Sequence, residues 1–168
     1  MPLQEVWSGG QNGANIAGLR AAKAVGLKTG GWMPKGYRTE GGDHPEYAGM
    51  YGVRQIDLKH YPHAIEHNVR ETNGTLIVGD RPDLKGCALT ESFCRRLDKP
   101  LLTLTMEQVG APGSEELVRD WIARNGIQRL NVSGSWDAPE ALLTAWLNEV
   151  FTGAAEIPAV IAISGATV

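Results

Sequence analysis

The chain has 168 residues, 42% of them hydrophobic and 21% charged, with a formal net charge of −3. That is an ordinary globular composition, and the acidic balance argues against wholesale binding to nucleic acid or to an acidic membrane surface. The length predicts one domain over residues 1–168, large enough to bury about 70% of its unfolded surface.

The first element is a short strand, Glu5–Ser8. It runs into Gly9-Gly10-Gln11-Asn12-Gly13, and a helix follows over Ile16–Val25, stopped at Gly26. A glycine-rich corner that opens a helix gathers free N–H groups and the positive end of the helix dipole, which suits an anion. The corner is neither GxGxxG nor a P-loop, so neither fingerprint applies. A second strand is expected over Thr29–Met33, then a long loop to about Gly52 that begins Pro34-Lys35-Gly36-Tyr37-Arg38. Lys35 and Arg38 on this stiffened loop would neutralise a phosphate, with Trp32 beside them as a stacking surface.

Tyr61–Glu71 reads as a helix and Thr75–Val78 as a strand buried on both faces. Lys85-Gly86-Cys87 then forms a second strand-to-helix corner, with the helix running from Gly86 to Leu97. A strand is expected at Leu101–Leu104, a loop over Thr105–Gly113, and a helix from Ser114 to Arg124 with Glu115 and Glu116 in its first turn. Arg129–Val132 is a strand, and Ser133-Gly134-Ser135 is a turn that offers hydroxyl and N–H donors. A last helix runs from Asp137 to Phe151 with Pro139 in its first turn, and Pro158–Ile163 adds a strand.

Alternating strands and helices predict an α/β fold: a Rossmann-like three-layer domain with a mainly parallel sheet and helices on both faces. In such folds ligands sit beyond the carboxyl ends of the strands. The loops there supply the candidate ligand-binding residues: Gly9, Gly10, Gln11, Asn12, Gly13, Trp32, Lys35, Arg38, Lys85, Gly86, Cys87, Ser133 and Gly134. No residue is assigned a catalytic role, and no metal site is assigned. His63-Ala64-Ile65-Glu66-His67 does fit the H-x-x-E-H zinc pattern, with His60 on the same side of the helix. With no third ligand identifiable and the wrong strand order around it, the segment reads as a polar helix face. Two cysteines, Cys87 and Cys94, are too few for a disulfide framework or a zinc site. The opening Met1-Pro2-Leu3-Gln4-Glu5 is unlike a signal peptide and no apolar run approaches the ~18 residues of a membrane span, so the expected location is cytoplasmic.

Five motifs in order resemble the putative molybdenum carrier family, over about residues 5–151. They are Ser8-Gly9-Gly10-Gln11-Asn12-Gly13, Gly30-Gly31-Trp32-Met33-Pro34-Lys35-Gly36, Asn68 to Ile77, Gly86-Cys87-Ala88-Leu89-Thr90 and Leu130-Asn131-Val132-Ser133-Gly134. That family is similar to the wider Rossmann-like group that includes the lysine-decarboxylase-like cytokinin-activating enzymes. The resemblance implies a Rossmann-like fold, a homo-oligomer and binding of molybdenum cofactor, whose pterin carries a phosphate. This chain departs from the family pattern at Asn12 for Thr, Asn15 for Asp, Met33 for Cys, and Lys85-Gly86-Cys87 for Gly-Gly-Thr. Losing the Asp and gaining Lys85 both favour a more anionic ligand.

The expected function is therefore a small-molecule carrier for a phosphate-bearing, pterin- or nucleotide-like ligand, acting by binding and not by turnover. One rival is a nucleotide phosphoribohydrolase with Glu91 or Glu71 as its acid. Another is a protein that senses or sequesters a nucleotide-derived signal.

Overall fold

The structure, a computed structural model, describes residues 2–81 and 83–155. Its centre is a five-stranded, wholly parallel sheet. The strands are β1 (Glu5–Trp7), β2 (Lys28–Gly30), β7 (Gly74–Val78), β8 (Leu101–Leu104) and β9 (Arg129–Gly134), in the order β2-β1-β9-β7-β8. β9, the last strand in sequence, therefore lies between β1 and β7.

Side chains on a strand alternate between faces, and here the alternation separates two chemistries. Val6, Leu76, Val78, Leu130 and Val132 join one large core with α1 (Ala14–Ala24), α6 (Ser114–Arg124) and α7 (Glu140–Ala155). Phe151 is fully buried in it, and truncating such a side chain to Ala typically costs about 3–5 kcal/mol. On the opposite face lie α3 (Tyr61–Arg70) and α4 (Lys85–Arg96), whose Val69, Phe93 and Cys94 form a smaller cluster with Leu101. The sheet residues between them include polar ones beside the apolar Ile77: Thr75 and Asn131 are buried there, with Asn131 Nδ2 donating to Thr75 Oγ1 at 3.3 Å. The expected α/β three-layer architecture with helices on both faces is what the chain adopts.

Three local expectations are revised. The single strand over Thr29–Met33 is two, β2 and β3 (Trp32–Met33), because Gly31 at φ 134° turns the chain out of the main sheet. A side chain at Gly31 would overlap the Ser8 carbonyl, so the chain can pass only as glycine. β3 then pairs with β6 (Arg54–Gln55) in a separate two-stranded sheet. Within the long loop are an antiparallel hairpin, β4 (Arg38–Thr39) and β5 (Gly42–Asp43), and a short helix, α2 (Tyr47–Tyr51). Tyr47, Tyr51, Met33 and Val53 pack on Ile16 and Leu19, so the loop is folded onto α1. Finally, the loop expected at Thr105–Gly113 contains α5 (Met106–Gly110), started by a capping box between Thr105 and Gln108. The strand expected at Pro158–Ile163 lies outside the described residues. No described helix is long and apolar enough to cross a membrane.

Candidate functional site

A cleft of about 520 Å3 opens beyond the carboxyl ends of β1, β9 and β7, on the side of α3 and α4. Most of its lining is apolar, with Ala64, Ile65, Leu84 and Leu89 among it, and neutral polar groups are set into that surface. Asn15, Asn68, Thr90 and Asn131 line it while each is over nine-tenths buried, and Ser133 joins them from β9. Buried polar groups must be paired, and most of these are. Thr90 Oγ1 donates to the Gly86 carbonyl at 2.7 Å and meets the Ser133 hydroxyl at 3.4 Å. Asn68 clamps the backbone of Trp32 with both ends of its amide, at 2.8 and 2.9 Å, and so holds β3 against α3.

One side of the cleft is the N-terminus of α4. Its N-cap is Leu84, in an extended conformation and with no capping side chain, and the intrahelical bonds begin with Ala88 N–H to the Leu84 carbonyl at 3.0 Å. Lys85, Gly86 and Cys87 all line the cleft. An ideal Cβ on Gly86 would meet no atom within 4 Å, so the approach to this helix end is open. Burial pushes the Cys87 thiol pKa up, against a lowering hydrogen bond with Ser135, so the group is a neutral thiol at neutral pH. Facing α4 are His60, Tyr61 and His63 at the start of α3, with Glu40 from the turn of the β4–β5 hairpin. Burial also raises the Tyr61 phenol, with the Glu40 carboxylate adding to the effect, and it remains a hydrogen-bond donor. Trp136, 50% exposed, stands at the mouth just past β9.

Seven of the thirteen expected binding residues line this cleft: Gly9, Gln11, Lys85, Gly86, Cys87, Ser133 and Gly134. Six do not. Gly10 faces Met33, whose sulfur would lie 2.8 Å from a Cβ there, and its N–H donates to Ser8 Oγ at 3.1 Å. The Gly13 N–H donates to Glu140 Oε1 at 3.1 Å, so the start of α1 already holds a carboxylate of the chain's own. Asn12 lies against Gly41 of the hairpin. Trp32 points outward, its indole N–H bonded to Glu71 and its ring 4.4 Å beneath the Arg54 guanidinium. Lys35 pairs with Asp57 at 3.2 Å, and Arg38 meets the corner through its backbone carbonyl, which accepts from Gln11 Nε2 at 2.9 Å.

The carboxylates weighed as acids are outside the cleft, Glu71 on Trp32 and Glu91 paired with Arg95. Of the H-x-x-E-H segment, His63 reaches the cleft while His67 Nδ1 bonds the His63 carbonyl at 2.7 Å and Glu66 pairs with Arg70 at 2.8 Å. Among the described residues, no three His, Cys, Asp or Glu side chains come together to hold a metal ion. The sequence reading passed over Asn131, although a lone Asn between Leu130 and Val132 on a buried strand is a signal in itself. It also passed over Trp136, an exposed aromatic one residue beyond a strand-end turn.

Residues 6–152 match the family described as the circularly permutated YpsA SLOG family. The fold is similar to the crystal structure of a putative molybdenum carrier protein from Syntrophus aciditrophicus, with a TM-score of 0.80 and 34% sequence identity over 89% of this chain and 96% of that one. No curated protein matches the chain.

Proposed function

The chain belongs to the circularly permutated YpsA SLOG family, and from that premise we propose that it binds and carries a phosphate-bearing ligand with a flat, pterin- or nucleotide-like ring. The observation that carries this reading is the N-terminus of α4. Its first N–H groups, the Lys85 ammonium and an unobstructed Gly86 meet at one end of a cleft of suitable size. A helix start favours a nearby anion by about 0.3–1 kcal/mol, and more where partly buried. The phosphate seat is thus assigned to Lys85–Cys87 and not to the Gly9–Gly13 corner, whose Gly13 N–H is engaged by Glu140.

The ring would lie over the buried amides of the cleft, with Trp136 as its stacking partner at the mouth. The hydrolase reading loses the two acids considered for it, since neither Glu71 nor Glu91 lines the cleft. For molybdenum cofactor, the residues fit the organic part: Lys85, Gly86 and Cys87 would hold the pterin's phosphate, and Asn131 and Ser133 would face its ring. They supply no cluster of ligands for the metal among the described residues. A homo-oligomer belongs to the same proposal, supported by half-exposed Leu117 and Leu142 on the outer helices α6 and α7, as does a cytoplasmic location.

Titration with a pterin phosphate or a nucleoside 5′-monophosphate tests the reading. Wild type should bind with quenching of tryptophan fluorescence that Trp136→Phe abolishes. Gly86→Val should lose most of the affinity while keeping the fold. Wild-type affinity in Gly86→Val would remove the phosphate from α4.

A further inference from the structure

The two ends of the cleft differ in hydrogen-bonding sense. The α4 end offers donors: backbone N–H groups and the Lys85 ammonium. The hairpin end offers acceptors. Glu40 is the one carboxylate among the described residues that line the cleft. Beside it, Gln11 has both its amide N–H groups committed, to the Arg38 carbonyl at 2.9 Å and the Gly9 carbonyl at 3.4 Å. That fixes the orientation of the amide and leaves Gln11 Oε1 buried with no partner among the described residues. The Gln11–Arg38 bond also anchors the hairpin over the β1 corner, while α4 follows β7, two strand spacings away across β9. At ~4.8 Å per spacing the β1 and β7 corners stand about 10 Å apart, a span comparable to that from a nucleotide's phosphate to the far edge of its base.

We propose that Glu40 reads the 2-amino-pyrimidinone edge shared by guanine and pterin. This rests on the phosphate reading above and adds the class of ring. On that edge a ring N–H and an exocyclic amino group lie side by side, a donor pair that the two oxygens of a carboxylate can accept together. Hypoxanthine has the ring N–H and lacks the amino group. Adenine presents an unprotonated ring nitrogen there, which Glu40 would repel. Glu40 is exposed at the rim, so the selectivity should be moderate and not the very large factor of a sealed pocket.

Calorimetric titration of wild type and Glu40→Ala with guanosine, inosine and adenosine 5′-monophosphates, the three differing only in the ring edge, tests the assignment. Glu40 makes no hydrogen bond or ion pair among the described residues, and thermal melting checks that the variant folds. Wild type should favour the guanosine over the inosine nucleotide by about tenfold. In Glu40→Ala that gap should shrink to within threefold, with the inosine nucleotide weakened less than the guanosine nucleotide and the adenosine nucleotide not weakened at all. Equal affinity of wild type for all three nucleotides would overturn the assignment and leave the phosphate reading standing. So would an equal loss for all three in Glu40→Ala, since a carboxylate that binds the ribose hydroxyls would act that way. If neither these nucleotides nor a pterin phosphate binds, both readings fall.

Discussion

The corner where β1 meets α1 and the corner where β7 meets α4 both bring a glycine to the start of a helix at the same end of one parallel sheet, yet only one is open. At α1, Glu140 from the first turn of α7 takes the Gly13 N–H and pairs with Arg20 at 2.9 Å. At α4, no side chain caps the helix and Gly86 faces empty space. The first corner uses its helix dipole to fasten two helices together. The second has no such partner among the described residues, which is the opening the proposed phosphate would use. A glycine at a helix start therefore marks a candidate anion seat, and the rest of the fold decides whether an internal carboxylate already fills it.

The sharpest way to break this comparison is to put the same side chain at each corner. Gly13 has φ 78° and its Cβ would overlap the Ser135 carbonyl, so Gly13→Val should lose at least about 3 kcal/mol in urea denaturation. Gly86→Val should change stability by under ~1 kcal/mol, since Val and Gly differ little in a helix, while weakening ligand binding by about ten- to a hundredfold. Stable Gly13→Val protein would show that the α1 corner is not closed by packing.

Removing charge gives the next largest effects. Lys85→Ala should weaken binding about tenfold and flatten its salt dependence, with melting unchanged. Glu140→Gln should cost about 1 kcal/mol of stability, because its ion pair with Arg20 is well exposed to solvent, and leave affinity alone. A loss of affinity in Glu140→Gln would mean that the α1 corner does reach the ligand.

A control from the opposite end of the sheet should have the smallest effect. Burial raises the Glu5 pKa, but hydrogen bonds from Arg129 and the Trp7 indole outweigh it, and the net shift is downward. A carboxyl depressed in the folded state stabilises above its unfolded pKa, and the benefit is lost as pH falls through the folded value. Glu5→Gln should therefore be less stable than wild type near neutral pH, by about 1 kcal/mol or less, with the difference vanishing below the ordinary carboxylate range. Denaturation curves at several pH values check this.

The architecture was legible because periodicity and breakers are local. Gly26, Asn73-Gly74 and Asn125-Gly126 punctuate the chain, and the apolar strand at residues 75–78 is buried as its composition requires. The split at Gly31 was not legible, since it depends on the approach of Ser8 from another strand. α5 was legible in principle from Thr105 and Gln108, three apart, though its five residues are too short for a periodic pattern. At the site, chemistry pointed to loops, and loops that follow strands do line the cleft. What a local motif could not carry was the partners: Lys35 has Asp57 beside it, and the Gly13 N–H has Glu140, 127 positions away. Partners at that separation leave no trace in a local motif.

The placement of β9 bears on the order in which the molecule assembles. β1 pairs only with β2 and β9, and β7 only with β8 and β9. Before residues 129–134 enter the sheet, the chain holds two parallel strand pairs with no ladder between them. Insertion of β9 joins Glu5 to Arg129 and Thr75 to Asn131 in one step, a closure of long loops that topology makes slow. Asn131, Ser133 and Trp136 arrive with the same strand. A cleft built this way is complete only once β9 and the residues just after it have folded.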